Sequence, residues 1–294
     1  MARPTSFDHR LVRYEDVHAI QPEDFRAFVD AANIRTHTRI LDCGCGYGAV
    51  TREMLLATEA VRSRGEIDLI VDLIDESTVQ ISRAKRELQN WQHIDGVSLN
   101  FIEGLFPDDI PPFSTYDVIA CKMVLHEVAK DQQLRFLKAA HQLLTREGRL
   151  LLWEICLSPE SADFFRSVVR LKDKLSGYDT MVQRRNFLTA QELIDLFAKS
   201  AFGRVDVTRE FVYRFDTRKR FMPEFGGDES RFAEWQSFVR RSGEELTPAV
   251  RTSMRYLDDG ITIAFDIKKV IAIAVRTNEV PEQTAFAAAG RVPN

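Results

Sequence analysis

The chain has 294 residues, with 40 Lys and Arg against 44 Asp and Glu, a formal net charge of -4, 45% hydrophobic residues, 14 Gly and 10 Pro. That composition describes a globular protein with a large core. It sets aside nucleic acid as a partner, which a strong basic excess would serve. Apolar runs such as Val270 to Val275 are far shorter than the roughly 18 to 20 residues that cross a bilayer, and Met1 to Asp8 lacks an apolar signal core, so a cytoplasmic location without a membrane partner is expected.

In chain order, Pro22 sits near the start of a helical stretch over 19–33, with Glu23 and Asp24 at its positive end and Phe25, Phe28, Val29 and Ala32 at helical spacing. Residues 1–37 are expected to form an N-terminal helical cap. Thr38 to Asp42 reads as a short apolar strand, followed by Gly44-Cys45-Gly46-Tyr47-Gly48 and a helix over 50–61. Ile67 to Asp75 has the apolar content of a strand buried on both faces, and a helix follows from Ser77 to Gln89. The rhythm continues with a strand over 97–102, a loop with Pro107, Pro111 and Pro112, and a strand over 116–121. A helix over 132–144, the turn Glu147-Gly148 and a strand over 149–154 come next. Five strands alternating with helices predict an α/β fold with a doubly wound, mostly parallel sheet, which strands over 204–213 and 262–276 bring to seven. Thr189-Ala190-Gln191-Glu192 has capping-box spacing ahead of Leu193, Leu196 and Phe197.

The predicted core therefore covers 38–157, 189–217 and 261–277, interrupted by 158–188 and 218–260. Both interruptions read either as helical insertions forming a lid or as ordinary helical decoration. In the second, Phe221, Phe225, Phe232, Trp235, Phe238 and Tyr256 suit an apolar ligand or, equally, a homodimer interface. Residues 278–294 show little periodicity and are expected to be a mobile tail. Cys43 and Cys45 stand too close for a metal knuckle and no matching Cys/His pair follows, so no metal site is expected and the four cysteines read as compact apolar side chains. The cation groups Arg184-Arg185, Arg218-Lys219-Arg220 and Arg240-Arg241 read as solvated faces.

A helix N-terminus behind a glycine turn leaves backbone N–H groups free and lets a ligand approach closely. The run Gly44 to Ala49 also fits the dinucleotide pattern, which keeps a nicotinamide-dependent oxidoreductase in view. Two carboxylates break the tie. Asp42 would repel a pyrophosphate but can hold an ammonium group, and Asp75, closing the second strand, can accept both hydroxyls of a ribose. A ligand with a ribose, an ammonium group and no phosphate is S-adenosylmethionine.

With those residues in place, Ile40 to Gly48 resembles the glycine-rich signature of class I S-adenosylmethionine-dependent methyltransferases. Asp75 to Ala84 resembles that family's second motif, Tyr116 to Val128 its fourth strand and the Leu-His segment after it, and Glu147 to Leu151 the entry to its fifth. The resemblance spans about residues 38 to 212 plus the last strand. It implies a Rossmann-like methyltransferase fold with S-adenosylmethionine as cofactor. Gly44, Cys45, Gly46 and Gly48 would line the methionine part, Asp42 would organise the loop and Asp75 would bind the ribose. Glu76, Gly104, Leu105 and Lys122 would join them, and Tyr14 would cover the methionine carboxylate. The family's Gly-Asp after the third strand reads Gly104-Leu105 here, which leaves the adenine to backbone at Leu105 or Phe106, or to Asp108 or Asp109.

Methyl transfer from a sulfonium is an in-line displacement that needs alignment and dryness, with a general base optional. His126 and Glu127, after the fourth strand, are the candidate catalytic residues for removing or orienting a proton. Glu154 is expected on the same rim, where it would attract a cationic acceptor, and His141 is expected to be structural. No Asn-Pro-Pro-Tyr-type motif follows the fourth strand, where Cys121-Lys122-Met123-Val124 stands, and within the resembled family that points to a small-molecule acceptor. The expected function is methyl transfer to an O, N or S atom of a small, aromatic or apolar molecule. The alternative is a noncatalytic S-adenosylmethionine-binding scaffold that holds a partner through 218–260.

Overall fold

A computed structural model describes residues 21–62 and 68–277. The expectations for Tyr14, for the start of the N-terminal cap and for the 278–294 tail lie outside the described residues. The chain order is α1 (Pro22–Ala32), β1 (His37–Cys43), α2 (Ala49–Arg62), β2 (Asp68–Asp75), α3 (Thr78–Glu87), β3 (Val97–Glu103), β4 (Tyr116–Lys122) and α4 (Gln133–Leu143). It continues with β5 (Leu144–Leu157), α5 (Pro159–Leu175), α6 (Asp179–Arg184), β6 (Leu188–Thr189), α7 (Ala190–Ala198) and β7 (Asp206–Asp216). Then come α8 (Thr217–Phe221), α9 (Glu229–Glu244), α10 (Pro248–Ser253), β8 (Leu257–Asp258) and β9 (Ile263–Val275).

The sheet runs β3-β2-β1-β4-β5-β9-β7, with the first five strands parallel and β9 antiparallel to both its neighbours. The predicted doubly wound, mostly parallel sheet of seven strands is present. The two-residue strands β6 and β8, which no sequence pattern announced, pair with β5 and β9.

The central strands have no polar face, because helices cover both sides of a parallel sheet. Along β1, Ile40 packs toward α1, α2 and α3 while Leu41 packs toward α4 and α7. Along β5, Leu151 and Trp153 take the first side and Leu150 and Leu152 the second. Trp153 anchors α1 through Phe25 and Phe28, with ring centroids 5.2 and 5.7 Å away. Pro22 occupies the first turn of α1, and Thr189 and Glu192 form the capping box of α7. The expected turn at Glu147-Gly148 folds into β5 itself. There Glu147 takes a φ of 64°, and the β4–β5 register shifts between Tyr116 and Val118.

A third apolar cluster lies beyond the nucleotide-type core, built from α5, β7, α9 and β9. It buries Phe165, Phe225, Phe232 and Trp235. The 158–188 and 218–260 segments thus share one core instead of decorating the sheet separately. Of the aromatic residues in 218–260, Phe221, Phe225, Phe232 and Trp235 are interior.

Beneath the sheet's left half, buried Asp72 on β2 collects donors from three elements: Arg39 Nη2 at 3.0 Å, Asn100 Nδ2 at 2.7 Å and Tyr116 Oη at 2.7 Å. The Tyr116→Phe variant removes one donor from this buried carboxylate without changing shape. It is expected to lose about 1.5–3 kcal/mol of stability. Urea denaturation checks this, and a midpoint unchanged from wild type contradicts it.

Candidate active site

β1 and β4 lie side by side, yet the chain leaves them toward helices on opposite faces, so a crevice opens beyond their carboxyl ends. The glycine loop forms its floor. Gly44 and Gly46 hold φ of 65° and 53°. A Cβ on Gly44 would come within 2.5 Å of Val124, whereas a Cβ on Gly46 would meet nothing within 4 Å. Gly44 is therefore required by close approach and Gly46 by backbone conformation beside open space.

Two buried carboxylates hold this loop. Asp42 accepts hydrogen bonds from the Thr51 N–H at 3.2 Å and the Thr51 hydroxyl at 2.7 Å, both on Oδ2. It fastens β1 to the first turn of α2 and does not line the crevice, so the idea that it holds a ligand's ammonium group is corrected. Asp75 accepts from the Gly46 N–H through Oδ2 and from the Ser77 N–H through Oδ1, both at 2.9 Å. Each Asp75 oxygen keeps a second lone pair. Desolvation pushes both carboxyls up to about 6, against the lowering effect of these donors.

The crevice encloses about 560 Å³. Of the residues singled out in the sequence, Gly44, Cys45, Gly46, Asp75, Glu76, Gly104, Leu105, Lys122, His126 and Glu127 line it. Gly48 does not; at φ 84° it packs against Leu88, where a Cβ would come within 2.9 Å. Among the four adenine alternatives, Asp109 turns its carboxylate onto the Leu105 N–H at 2.8 Å, which occupies that N–H. Asp108 stays on the lining and pairs with Arg135. The four cysteines are free and buried, burial pushes the Cys43 and Cys45 thiols up, and no cluster among the described residues could hold a metal ion.

On the opposite wall, His126 Nδ1 lies 2.6 Å from Glu154 Oε2, and Glu154 Oε1 accepts the Leu125 N–H at 2.6 Å. Glu154 is thus a buried partner of His126 and not a rim charge awaiting a cationic acceptor. Glu127 is held by Arg185 Nη2 at 2.9 Å and stands 3.8 Å from His126 Nε2. Phe187 stacks on the imidazole with centroids 4.7 Å apart. His141 packs edge-on against Phe202, as expected for a structural residue.

Sequence reasoning missed the far end of the crevice. Phe165, Val169, Lys172 and Phe187 from 158–188, with Phe215, Arg220 and Phe221 from the β7–α8 junction, line it. Of the six aromatic residues first suggested as an apolar pocket, only Phe221 reaches the lining. Arg184, Arg185 and Arg220 also line the crevice and are not solvated faces, while Arg218 and Arg240 pair with Glu229 and Asp258. No local pattern distinguishes these cations, because their placement depends on how α5 and α8 pack.

Both loop carboxyls stand near 6 in the fold against about 3.9 in an unfolded chain, so the folded state holds extra protons between those values. Their contribution is full below pH 4 and is lost as pH rises through 6. Stability against urea measured from pH 4 to 7 should fall with a smaller slope in Asp42→Asn. An unchanged slope contradicts the assignment.

Residues 41–150 match the family model described as a methyltransferase domain. Among curated proteins, none matches the chain. Among solved structures, the YcgJ protein of Bacillus subtilis superposes with a TM-score of 0.66 at 15% identity, over 88% of this chain and 100% of that one. The BH2331 protein of Bacillus halodurans does so with a TM-score of 0.64 at 13% identity, over 87% and 100%. The mycolic acid cyclopropane synthase CmaA1, solved in complex with SAH and CTAB, gives 0.53 at 14% identity over 92% and 90%. At such identities the likeness to these structures is one of fold, and the match over 41–150 is to a methyltransferase domain, a domain whose methyl donor is S-adenosylmethionine.

Proposed function

We propose that the enzyme transfers the methyl group to an oxygen, nitrogen or sulfur atom of a small, aromatic or apolar molecule, in the cytoplasm and without nucleic acid or membrane as partner. One observation carries this reading: a single crevice joins the glycine loop and Asp75 to a chamber walled by phenylalanines, with His126 between them. The residues present fit the cofactor. The space beside Gly46 admits its methionine part, and the lone pairs that Gly46 and Ser77 leave on Asp75 suit two vicinal hydroxyls. Cys45, Glu76, Gly104, Leu105 and Lys122 would complete the cofactor's surroundings. When bound, S-adenosylmethionine supplies an electrophilic methyl group for in-line displacement.

In this reading His126 takes the acceptor's proton. Its Nδ1 proton is donated to the Glu154 carboxylate, which leaves the Nε2 lone pair facing the crevice and fixes the ring's orientation. That arrangement favours a hydroxyl acceptor, which needs a base more than an amine does. Glu127, held by Arg185, stands beside Nε2 and would stabilise the imidazolium that forms. The 158–188 and 218–260 segments serve as the acceptor-side wall, excluding water from the displacement.

Calorimetry with S-adenosylhomocysteine tests the cofactor half: Asp75→Ala should abolish binding. Wild-type affinity should also fall up to about ten-fold per pH unit below 6, as the Asp75 carboxylate is protonated. Binding by Asp75→Ala at wild-type strength rejects the assignment. Mass-spectrometric screening for methylated phenols tests the acceptor half. His126→Ala should lower kcat by about 10²- to 10⁴-fold on a hydroxyl acceptor. Tight cofactor binding with no transfer to any small aromatic or apolar compound overturns the proposed substrate class.

A further inference from the structure

We propose that the acceptor is an aromatic carboxylic acid whose carboxylate docks at Lys172, Arg185 and Arg220 while its nucleophilic atom lies at His126, an inference that rests on the methyl-transfer reading above. The far end of the crevice combines two properties that seldom coincide. It is walled by rings, yet three cationic side chains face it, and all three are largely buried: Lys172 at 1% side-chain exposure, Arg185 at 7% and Arg220 at 15%.

Their counter-charges stand mostly behind them. Asp173 bridges Lys172, at 2.5 Å, and Arg185, at 2.8 Å, and Glu224 bridges Lys172 and Arg220. Neither Asp173 nor Glu224 lines the crevice; of the carboxylates paired with these three cations, Glu127 alone does. The Nε atoms of Arg185 and Arg220 are buried and have no hydrogen-bond partner among the described residues. In a low-dielectric wall such donors favour an anion and repel an ammonium acceptor. Three carboxylates already balance the three cations, so what the network leaves for a ligand is the two unpartnered Nε donors, which suit the oxygens of a single carboxylate, and a phosphate dianion would be left largely uncompensated.

The rings define what joins the two ends. From the imidazole of His126, centroids follow to Phe187 at 4.7 Å, Phe165 at a further 5.0 Å, Phe215 at 5.6 Å and Phe221 at 5.5 Å. The Arg220 guanidinium and the Lys172 ammonium lie 5.1 and 5.7 Å from the Phe221 ring. A planar apolar body lies along this path with its charged end among the cations. In the transfer, the bond from acceptor oxygen to methyl forms as the sulfonium–methyl bond breaks. The hydroxyl proton passes to His126 Nε2, and the carboxylate is unchanged.

The test is calorimetry on the wild-type chain with S-adenosylhomocysteine bound, using 4-hydroxybenzoate, 4-hydroxycinnamate and 4-hydroxyphenylacetate, each against its methyl ester. At least one acid should bind about ten-fold tighter than its ester, a difference of about 1.4 kcal/mol. Arg220→Met should erase that preference while S-adenosylhomocysteine affinity stays within about two-fold of wild type. Esters binding as well as their acids in every pair, no acid binding, or a preference that survives in Arg220→Met each overturn the proposal. Should Arg220→Met fail to fold, the wild-type acid-to-ester ratio decides alone. Failure of the acids with S-adenosylhomocysteine still bound leaves methyl transfer standing, whereas failure of S-adenosylhomocysteine itself removes the underlying reading.

Discussion

A carboxylate buried at the end of a strand must be met by donors, and the site is organised around the way Asp75 meets that need. Its two oxygens call for the Gly46 N–H from one side and the Ser77 N–H from the other. The first brings the glycine loop of β1 across to β2, and the second starts α3 at the adjoining residue, where the Ser77 hydroxyl caps the helix through the Gln80 N–H. Loss of either donor would leave a charge in a desolvated place, at a cost of about 1–3 kcal/mol or more. The loop's shape is therefore tied to the same group that lines the crevice, so in the proposed reading folding and ligand recognition draw on one side chain.

The near half of the crevice was legible in the sequence because its determinants are local. Glycines at Gly44 and Gly46, a carboxylate at the end of each of two strands and a helix after each turn fix a backbone shape over a few dozen residues. Even there, spacing did not reveal direction. Asp42 lies near the loop as expected, but Thr51 draws its carboxylate away from the crevice. Glu154 likewise sits at the predicted strand end, yet the Leu125 N–H and His126 turn it inward. A strand's two-residue period gives the face a side chain takes and says nothing about which donor claims it.

The far half was illegible for a different reason. Lys172, Arg185 and Arg220 come from segments separated by up to several dozen residues, and they converge only because Phe165, Phe215 and Trp235 pack into a third cluster. In sequence an arginine doublet is most often solvated, and only packing can bring its charge into a dry chamber. The aromatic residues of 218–260 illustrate the same point: they were visible as a group, but most of them fill the core that supports the chamber and do not wall it.

The position of β9 carries a consequence for how the chain is made. Residues 263–275, the last of the described strands to be synthesised, lie between β5 and β7 and bond to both along most of their length. On the ribosome, β1 to β5 can assemble early, whereas β7 and the helices resting on it have no neighbour to join until β9 emerges. The chamber side of the enzyme thus waits for a pairing of long sequence separation, the kind of contact that slows folding and leaves a nascent edge open to chaperones or to mispairing.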